Sequence, residues 1–321
     1  MCCYREVSLT RELFAGLDLG GTEVKVGICG SDGQEIWSDR FPSYADQGQD
    51  AILDALGKAG KTAIDLASEH GGEVKALGLG TPGVVDPKKG KIRFPVANLG
   101  GWHGTDIIGF FQDRFDIPAV VENDANAAAW GEYRVGAGRG AHSLLAATVG
   151  TGIGGGAIIE GELLKGATGG SMELGHITYQ PEGRPCNCGL IGCVESYSGG
   201  WGMAAEWGRR SGAQIAPGVS DLVKAGLKGD ELANEVLDEG ARILGEGMMS
   251  AVHLLNPDVI VVGGGIVDAR PQHLGLIESS LRDRLLPKAL ADLRVVKAEK
   301  GNQAGWIGAA LRAEHFFRSG S

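Results

Sequence analysis

The feature that most constrains the fold of this chain is a glycine turn between two apolar strand segments, which occurs twice. The first copy runs from Leu13 to Cys29 and the second from Leu144 to Ile159. In the second copy the pattern predicts a strand up to Val149, a turn over the glycines of 150–156 and a return strand from Ala157. Because one such hairpin opens each half of the chain, we predict two related lobes that face each other across a cleft.

Strand-like and helix-like segments alternate through the rest of the chain, which is typical of an α/β fold. The predicted helices are 50–70, 105–115, 124–133, 199–210, 220–225, 231–256 and 304–316, and the predicted strands between them include 76–79, 119–122 and 259–262. We place a small N-terminal lobe at 13–133, completed by the last helix, and a larger lobe at 134–303.

Composition limits the possible partners. A length of 321 residues suits two domains, and 43% hydrophobic with 22% charged residues is typical of globular proteins. The formal charge of -10 opposes binding to a phosphate backbone, so nucleic acid is not expected as a partner. No run of about 18 apolar residues occurs, and Met1 to Thr10 does not have the pattern of a signal peptide. We therefore expect no membrane partner and a cytoplasmic location.

The first glycine turn is a candidate phosphate-binding loop. Gly20 and Gly21 can offer backbone amides to an anion, and Thr22 adds a hydroxyl donor, although a plain hairpin turn explains the same residues. Asp18 is more informative, because a carboxylate beside phosphate-binding amides is repulsive unless it serves a magnesium ion. Lys25 could reach the phosphates or could be a solvated strand lysine.

Two further glycine runs extend this prediction to a nucleotide. Gly150, Thr151 and Gly152 would bring a second set of amides to the same phosphates. Gly263, Gly264 and Gly265 follow an apolar strand and would let a planar adenine lie against the backbone, although a simple strand-to-helix turn explains them equally well. Neither of the two loops at 18–22 and 150–154 fits the P-loop or dinucleotide-binding patterns.

Four polar residues crowd the predicted junction between a strand and the helix that starts at Asp124. They belong to the run Glu122-Asn123-Asp124-Ala125-Asn126. A helix N-cap needs one such residue, whereas ligand-binding groups of α/β folds gather where strands end. We therefore predict that Asp124 is a catalytic base, with capping as the alternative role.

The most specific pattern in the chain is an array of one histidine and three cysteines: His176, then Cys186, Cys188 and Cys193. Three thiolates and one imidazole complete the tetrahedral shell of a structural Zn²⁺ and leave no open position for a water molecule. The alternative is a loop with adjacent thiols. Cys2, Cys3 and Cys29 are scattered, and we assign them no function.

Together these motifs resemble the ROK sugar kinases, within the actin, Hsp70 and hexokinase superfamily. The resemblance extends from Leu13 to about Ala313 and includes the run from Glu173 through His176 to Glu195. It implies a two-lobed actin-like ATPase fold of the ribonuclease H-like type. It also implies that Asp124 removes the proton from a sugar hydroxyl, most often the 6-hydroxyl, as ATP with Mg²⁺ donates its γ-phosphoryl group. The sugar contacts that it implies are Asn98, Asn123, Asp124, Glu173, His176 and Glu195.

Glucose is the substrate that we expect, mainly from this resemblance. Kinases for N-acetylmannosamine, N-acetylglucosamine or fructose remain alternatives, and a donor other than ATP remains open. A sugar-responsive ROK repressor is a rival from another class, but only about a dozen residues precede the first strand, where such repressors carry a DNA-binding segment. The family resemblance also suggests a homodimer or homotetramer.

Overall fold

The computed structural model describes residues 11–94, 96, 99–290 and 292–320. Within these residues the chain forms two compact units, which divide between Gly131 and Glu132 and again between Ala304 and Gly305. The first unit contains the described residues up to Gly131 and from Gly305 onwards, and the second contains the segment between them.

A mixed five-stranded sheet forms the centre of the first unit. Its strands in chain order are β1 Arg11–Leu19, β2 Glu23–Cys29, β3 Glu35–Pro42, β4 Gly72–Thr81 and β5 Ala119–Asn123. Their order across the sheet is β3-β2-β1-β4-β5, in which β1, β2 and β3 are antiparallel and β4 and β5 run parallel to β1. Pairing of Leu19 with Val24 through Phe14 with Cys29 confirms the first predicted hairpin.

Successive strand residues point to opposite sides of this sheet, and helices cover both of its faces. The helices of this part of the chain are α1 Gln49–Glu69, α2 Ile107–Phe115, α3 Asp124–Val135 and α11 Ala304–Ser319. Leu13 and Leu17 share a buried core with residues of α1 and α2. On the other face a Cβ atom at Gly16 or Gly78, which pair across β1 and β4, would strike the backbone of α11. Glycine at these two positions therefore lets α11 lie directly on the sheet.

The sheet of the second unit repeats the same topology. Its strands are β6 Leu144–Val149, β7 Ile153–Ile159, β8 Glu162–Leu163, β9 Val259–Gly263 and β10 Arg294–Lys297. Read from the other edge, the order is β8-β7-β6-β9-β10. Strands β6, β7 and β8 are antiparallel, and β9 and β10 run parallel to β6. This repeat is what the two glycine hairpins predicted.

A long helix organises the core of the second unit. The helices here are α4 Glu195–Ser198, α5 Gly200–Ser211, α6 Val219–Leu227, α7 Glu231–Leu255, α8 Gly265–Ala269, α9 Gln272–Arg282 and α10 Pro287–Leu290. Leu237, Leu244 and Met248 of α7 are fully buried or nearly so, in one cluster with Leu145 and Ile260 of the sheet. Among the described residues no helix has the length and apolar character needed to cross a membrane.

The predicted second turn was wrong in extent. Only residues 150–152 form the turn, whereas Gly154, Gly155 and Gly156 lie inside β7 and pair with β6. The reason for glycine here is tertiary: a Cβ atom on Gly155 would collide with the carbonyl oxygen of Met172 and lie 2.7 Å from the Cβ of Leu174. The glycine strand thus lets the segment that carries Glu173 lie directly against the sheet.

Candidate active site and metal centre

In the first unit, Asp18 lies near the end of β1, just before the glycine turn. The Nζ atom of Lys25 lies 3.3 Å from its Oδ2 atom, and the two residues are cross-strand partners. Burial raises the pKa of Asp18 above its ordinary value, while the charge of Lys25 opposes that shift. Lys25 therefore lies at the carboxylate rather than in open solvent. A half-buried carboxylate with a raised pKa gains stability from a cation, so this donor fits the predicted Mg²⁺.

The turn after Asp18 is tight and exposes its middle residues. The amide of Gly20 donates to the carbonyl of Glu23 over 2.8 Å, and Gly21 and Thr22 are exposed. A Cβ atom on Gly305, the second residue of α11, would lie 2.6 Å from the carboxyl carbon of Asp18. Asp18 therefore packs against the first turn of α11, where a carboxylate is favoured by the helix dipole.

At the junction between β5 and α3, the residue that caps the helix is not Asp124, the predicted catalytic base. The Oδ1 atom of Asn123 accepts hydrogen bonds from the amides of Ala125 at 2.9 Å and Asn126 at 3.2 Å, so Asn123 is the N-cap. Its Nδ2 group donates to the carbonyl of Gly83 over 3.2 Å, which fixes the amide orientation. Asp124 is then the first helical residue, with its Oδ1 atom 2.8 Å from the amide of Ala125. Because Asn123 caps the helix, capping does not explain an aspartate at position 124.

In the second unit the predicted metal ligands meet. One potential ligand atom from each of His176, Cys186, Cys188 and Cys193 lies within 4.8 Å of all the others. The Sγ atom of Cys186 lies 3.7 Å from Nδ1 of His176, and the Sγ atoms of Cys188 and Cys193 are 3.7 Å apart. Ideal tetrahedral Zn²⁺ with bonds of about 2.3 Å to sulfur and about 2.0 Å to nitrogen places neighbouring ligand atoms about 3.5 to 3.8 Å apart. The four side chains therefore fit the predicted ion.

Thiolates rather than thiols are the metal ligands, so Zn²⁺ binding at this site must displace protons from the three cysteines. Burial, followed by hydrogen bonds and charge repulsion from the other two thiols, raises the pKa of Cys193 to about 12. Burial likewise raises the pKa of Cys186, whereas the pKa of Cys188 is lowered, because its desolvation is outweighed by hydrogen bonds from the Leu190 backbone and the other two cysteines. Three thiolates at this separation repel one another, and a bound Zn²⁺ supplies the positive charge that stabilises them.

Backbone pairing and two glycines build the loop around these ligands. Gly192 has a φ of 80°, and a Cβ atom there would collide with the carbonyl oxygen of Gln180. The amides of Tyr179 and Gln180 both donate to the carbonyl of Gly192, at 2.8 and 3.1 Å. Gly189, with a φ of 90°, makes the other tight turn. Both glycines are therefore required by the backbone of the metal loop.

Side chains that the sequence did not single out brace this loop. The backbone amide of Arg184 donates to the Tyr197 hydroxyl over 2.8 Å. The guanidinium group of Arg184 lies 4.5 Å from the centre of the Tyr197 ring. Arg184 also pairs with the buried carboxylate of Glu206 at 3.2 Å. No spacing rule identifies these residues, because they act through contacts that exist only in the folded chain.

The sugar contacts predicted for the second unit converge on the metal loop. Partial desolvation raises the pKa of Glu173; His176 opposes this shift, and the negative charge of Glu195 adds to it. Nδ1 of His176 faces Cys186, so Nε2 is the ring nitrogen available to a ligand. Glu195 opens α4 two residues after Cys193. Two carboxylates and one imidazole therefore share one electrostatic environment.

The remaining predicted residues are placed as follows. Gly264 has a φ of 103°, and a Cβ atom there would collide with the backbone of Val149 in β6. Gly265 begins α8, and a Cβ atom there would have no neighbour within 4 Å. The glycines after β9 thus form a close contact at Gly264 and an open backbone surface at Gly265. Asn98, Cys2 and Cys3 lie outside the described residues.

Comparison with known proteins settles the family. A model of the ROK family matches residues 14–315. The chain belongs to the ROK family. This ROK protein is 33% identical over 316 residues to a glucokinase from Streptomyces coelicolor, with 93% of this chain and 96% of the relative covered. It is 31% identical over 300 residues to an N-acetylmannosamine kinase from Escherichia coli O139:H28, with 93% and 97% covered.

A solved ROK structure gives the same result for the fold. The glucokinase from Streptomyces griseus in complex with glucose and AMPPNP matches with a TM-score of 0.80 and 33% identity, covering 94% of this chain and 99% of that chain. Together with the two mixed sheets, this similarity confirms the predicted two-lobed α/β fold of the actin-like ATPase type.

Proposed function

We propose that this ATP-dependent hexose kinase transfers the γ-phosphoryl group of ATP to the 6-hydroxyl of glucose. The observation that carries the proposal is the division of roles at the start of α3: Asn123 caps the helix, and Asp124 follows at the carboxyl end of β5. A carboxylate in this position is suited to accept a proton from a sugar hydroxyl.

Proton transfer to Asp124 is expected late in the reaction. An ordinary aspartate, with a pKa of about 4, is a weak base towards a free alcohol, whose hydroxyl becomes acidic only as its bond to phosphorus forms. Asp124 therefore first orients the 6-hydroxyl for in-line attack and then accepts its proton. Most of the rate acceleration must come from alignment and from neutralisation of the phosphate charge.

In this proposal each of the two glycine turns is a candidate phosphate contact within its own unit. Residues 20–22 and 150–152 provide backbone amides, and Asp18 would hold Mg²⁺ directly or through water. When bound there, Mg²⁺ would neutralise charge on the transferring phosphoryl group. Lys25, which lies 3.3 Å from Asp18, adds a positive charge close to the same carboxylate. The open backbone at Gly265 is our candidate contact for adenine.

Hexose recognition is assigned to the polar groups around the metal loop and to the cap of α3. Glu173 and Glu195 accept hydrogen bonds from hydroxyls, and Nε2 of His176 completes the set in the second unit. Asn123 and Asn98 are the proposed sugar contacts of the first unit. Buried polar groups that a wrong epimer leaves unpaired provide the selectivity. Zn²⁺ is proposed as a structural ion, since all four positions around it are filled by side chains.

One experiment tests both the activity and the substrate. A coupled ADP-release assay should report kcat/KM for glucose, mannose, fructose, N-acetylglucosamine and N-acetylmannosamine. We expect the highest value for glucose. Similarity to the Escherichia coli N-acetylmannosamine kinase favours that sugar as the second candidate. A higher kcat/KM for N-acetylmannosamine would replace glucose, and turnover of none of the five sugars would refute the kinase proposal.

A further inference from the structure

The carboxylate of Glu195 is shared between two parts of the second unit. Its Oε2 atom accepts the backbone amide of Ile153, the residue that follows the turn at 150–152, at 2.8 Å. Its Oε1 atom accepts the indole Nε1–H of Trp201 at 3.2 Å. A Cβ atom on Gly152 would lie 2.5 Å from Oε2, so glycine at 152 lets the carboxylate approach the turn.

Trp201 is itself fixed to that turn. It lies in the first turn of α5, where its backbone amide donates to the carbonyl of Thr151 at 2.9 Å. The preceding residue, Gly200, donates its amide to the carbonyl of Gly150 at 3.0 Å. The indole group, the carboxylate and the turn therefore form a closed circuit of hydrogen bonds: Trp201 holds the turn through its backbone and holds Glu195 through its side chain.

We propose that Trp201 is a positioning residue that fixes Glu195 for sugar binding and links the sugar site to the phosphate-binding turn. This inference rests on the proposed role of Glu195 as a sugar contact. An ionised carboxylate can accept about four hydrogen bonds. Ile153 and Trp201 take one on each oxygen, which leaves one lone pair on each oxygen for sugar hydroxyls. The direction of those lone pairs is set by the two fixed donors.

The test is the variant Trp201→Phe, which retains an aromatic ring and removes the N–H donor. Loss of one hydrogen bond to a charged acceptor corresponds to about tenfold to a hundredfold in an equilibrium constant. Trp201 is half-buried, so water can replace part of the bond, and we expect the lower end of this range. The KM for the sugar should rise about tenfold while kcat stays within about twofold of the wild-type value.

A matched control lies on the same helix. Trp207 is also half-buried, and it packs against the apolar core of the second unit. Trp207→Phe should leave the sugar KM unchanged. A double-mutant cycle then shows whether Trp201 acts through Glu195, because the effect of Trp201→Phe should shrink to about twofold or less when Glu195 is already Ala and offers the indole no acceptor. An equal effect in both backgrounds, or an equal effect of the control, would overturn the proposal.

A second variant approaches the same carboxylate from the other side. In Gly152→Ala the added methyl group lies too close to Oε2 of Glu195, so the carboxylate must turn away. The same rise in sugar KM is expected although Trp201 itself is not mutated. This variant supplies the test if Trp201→Phe does not fold, and an unchanged sugar KM would contradict the proposed positioning.

Failure of this proposal can be told apart from failure of the proposed function. Hydrogen exchange at the Ile153 amide reports on the Glu195 carboxylate without any turnover. Exchange at Ile153 should be about tenfold faster in Trp201→Phe than in Trp207→Phe, and equal rates would refute the positioning role even if the wild-type chain phosphorylates glucose. If the wild-type chain turns over no sugar, the kinase proposal fails, and the exchange rates still decide the link between Trp201, Glu195 and the turn.

Discussion

Glu132 is a buried carboxylate whose removal should strongly destabilise the second unit. The residue is 3% exposed, and its oxygens accept three backbone amides, those of Ala137 at 2.9 Å, Glu299 at 3.0 Å and Lys300 at 2.6 Å. It thereby ties the segment after β10 to the end of α3. In Glu132→Ala all three amides lose their acceptor. Each bond to a charged acceptor is worth about 1.5 to 3 kcal/mol, and water can reach the freed amides in part because Ala137 and Lys300 are half-buried and Glu299 is exposed, so the free energy of unfolding should fall by about 3 to 5 kcal/mol.

Urea denaturation followed by circular dichroism measures this loss. Glu132→Gln, which keeps the shape and one acceptor oxygen, should lose about half as much. Glu299→Ala is the matched control, since the Glu299 side chain is 53% exposed and its ion pair with Lys300 is long, at 3.6 Å. It should change the free energy of unfolding by no more than about 0.5 kcal/mol. A loss below about 1 kcal/mol in Glu132→Ala would refute the view that these three bonds stabilise the unit.

Three further predictions concern catalysis, the metal and pH. Asp124→Asn should lower kcat by roughly 10² to 10⁴ with little change in sugar affinity or melting temperature, because Asn123 still caps α3; near-normal turnover would remove Asp124 from the base role. Cys188→Ser should reduce bound zinc, measured by elemental analysis, and weaken sugar binding by calorimetry, whereas full zinc content would contradict the ligand assignment. Hydrogen bonds from Arg209 and Arg210 lower the pKa of Glu206 to about 2, against an opposing effect of desolvation. The stability that ionised Glu206 contributes to the fold is therefore present above a pH of about 4.5 and is lost as the pH falls towards 2. The melting temperature of Glu206→Gln should fall less between pH 5 and pH 3 than that of the wild-type chain. Parallel curves of melting temperature against pH for the two proteins would contradict this prediction.

Features set by local sequence were predictable. The first hairpin follows from apolar alternation around a glycine turn, and the metal array follows from ligand type and spacing, because both depend on residues that are close in the chain. The strand-to-helix junction at Asp124 was predictable, although the assignment of its cap was not. Only the observed hydrogen bonds show that Asn123 takes that role.

Features set by contacts between distant segments were not predictable. The glycines of β7 predicted a turn because glycine is a poor strand former, but they are required by the close approach of residues 172–174. Glu132 gives no signal in the sequence, since its partner Lys300 lies 168 positions further along the chain. Strand β3 was missed because it is largely exposed and lacks regular alternation of apolar residues.

The two sheets share one topology, but their glycine turns have different chemical surroundings. In the first unit the strands beside the turn carry an aspartate and a lysine, Asp18 and Lys25, which suit a cation and phosphates. In the second unit the strand after the turn is glycine-rich, and this lets the Glu173 segment and the Glu195 carboxylate pack against it. The repeat therefore fixes where backbone amides are offered, and side chains that differ between the two halves decide what each half can bind. The first unit is therefore our candidate for holding the phosphates and their metal, whereas in the second unit the proposed phosphate-binding turn and the proposed sugar-binding carboxylate, Glu195, belong to one hydrogen-bonded structure.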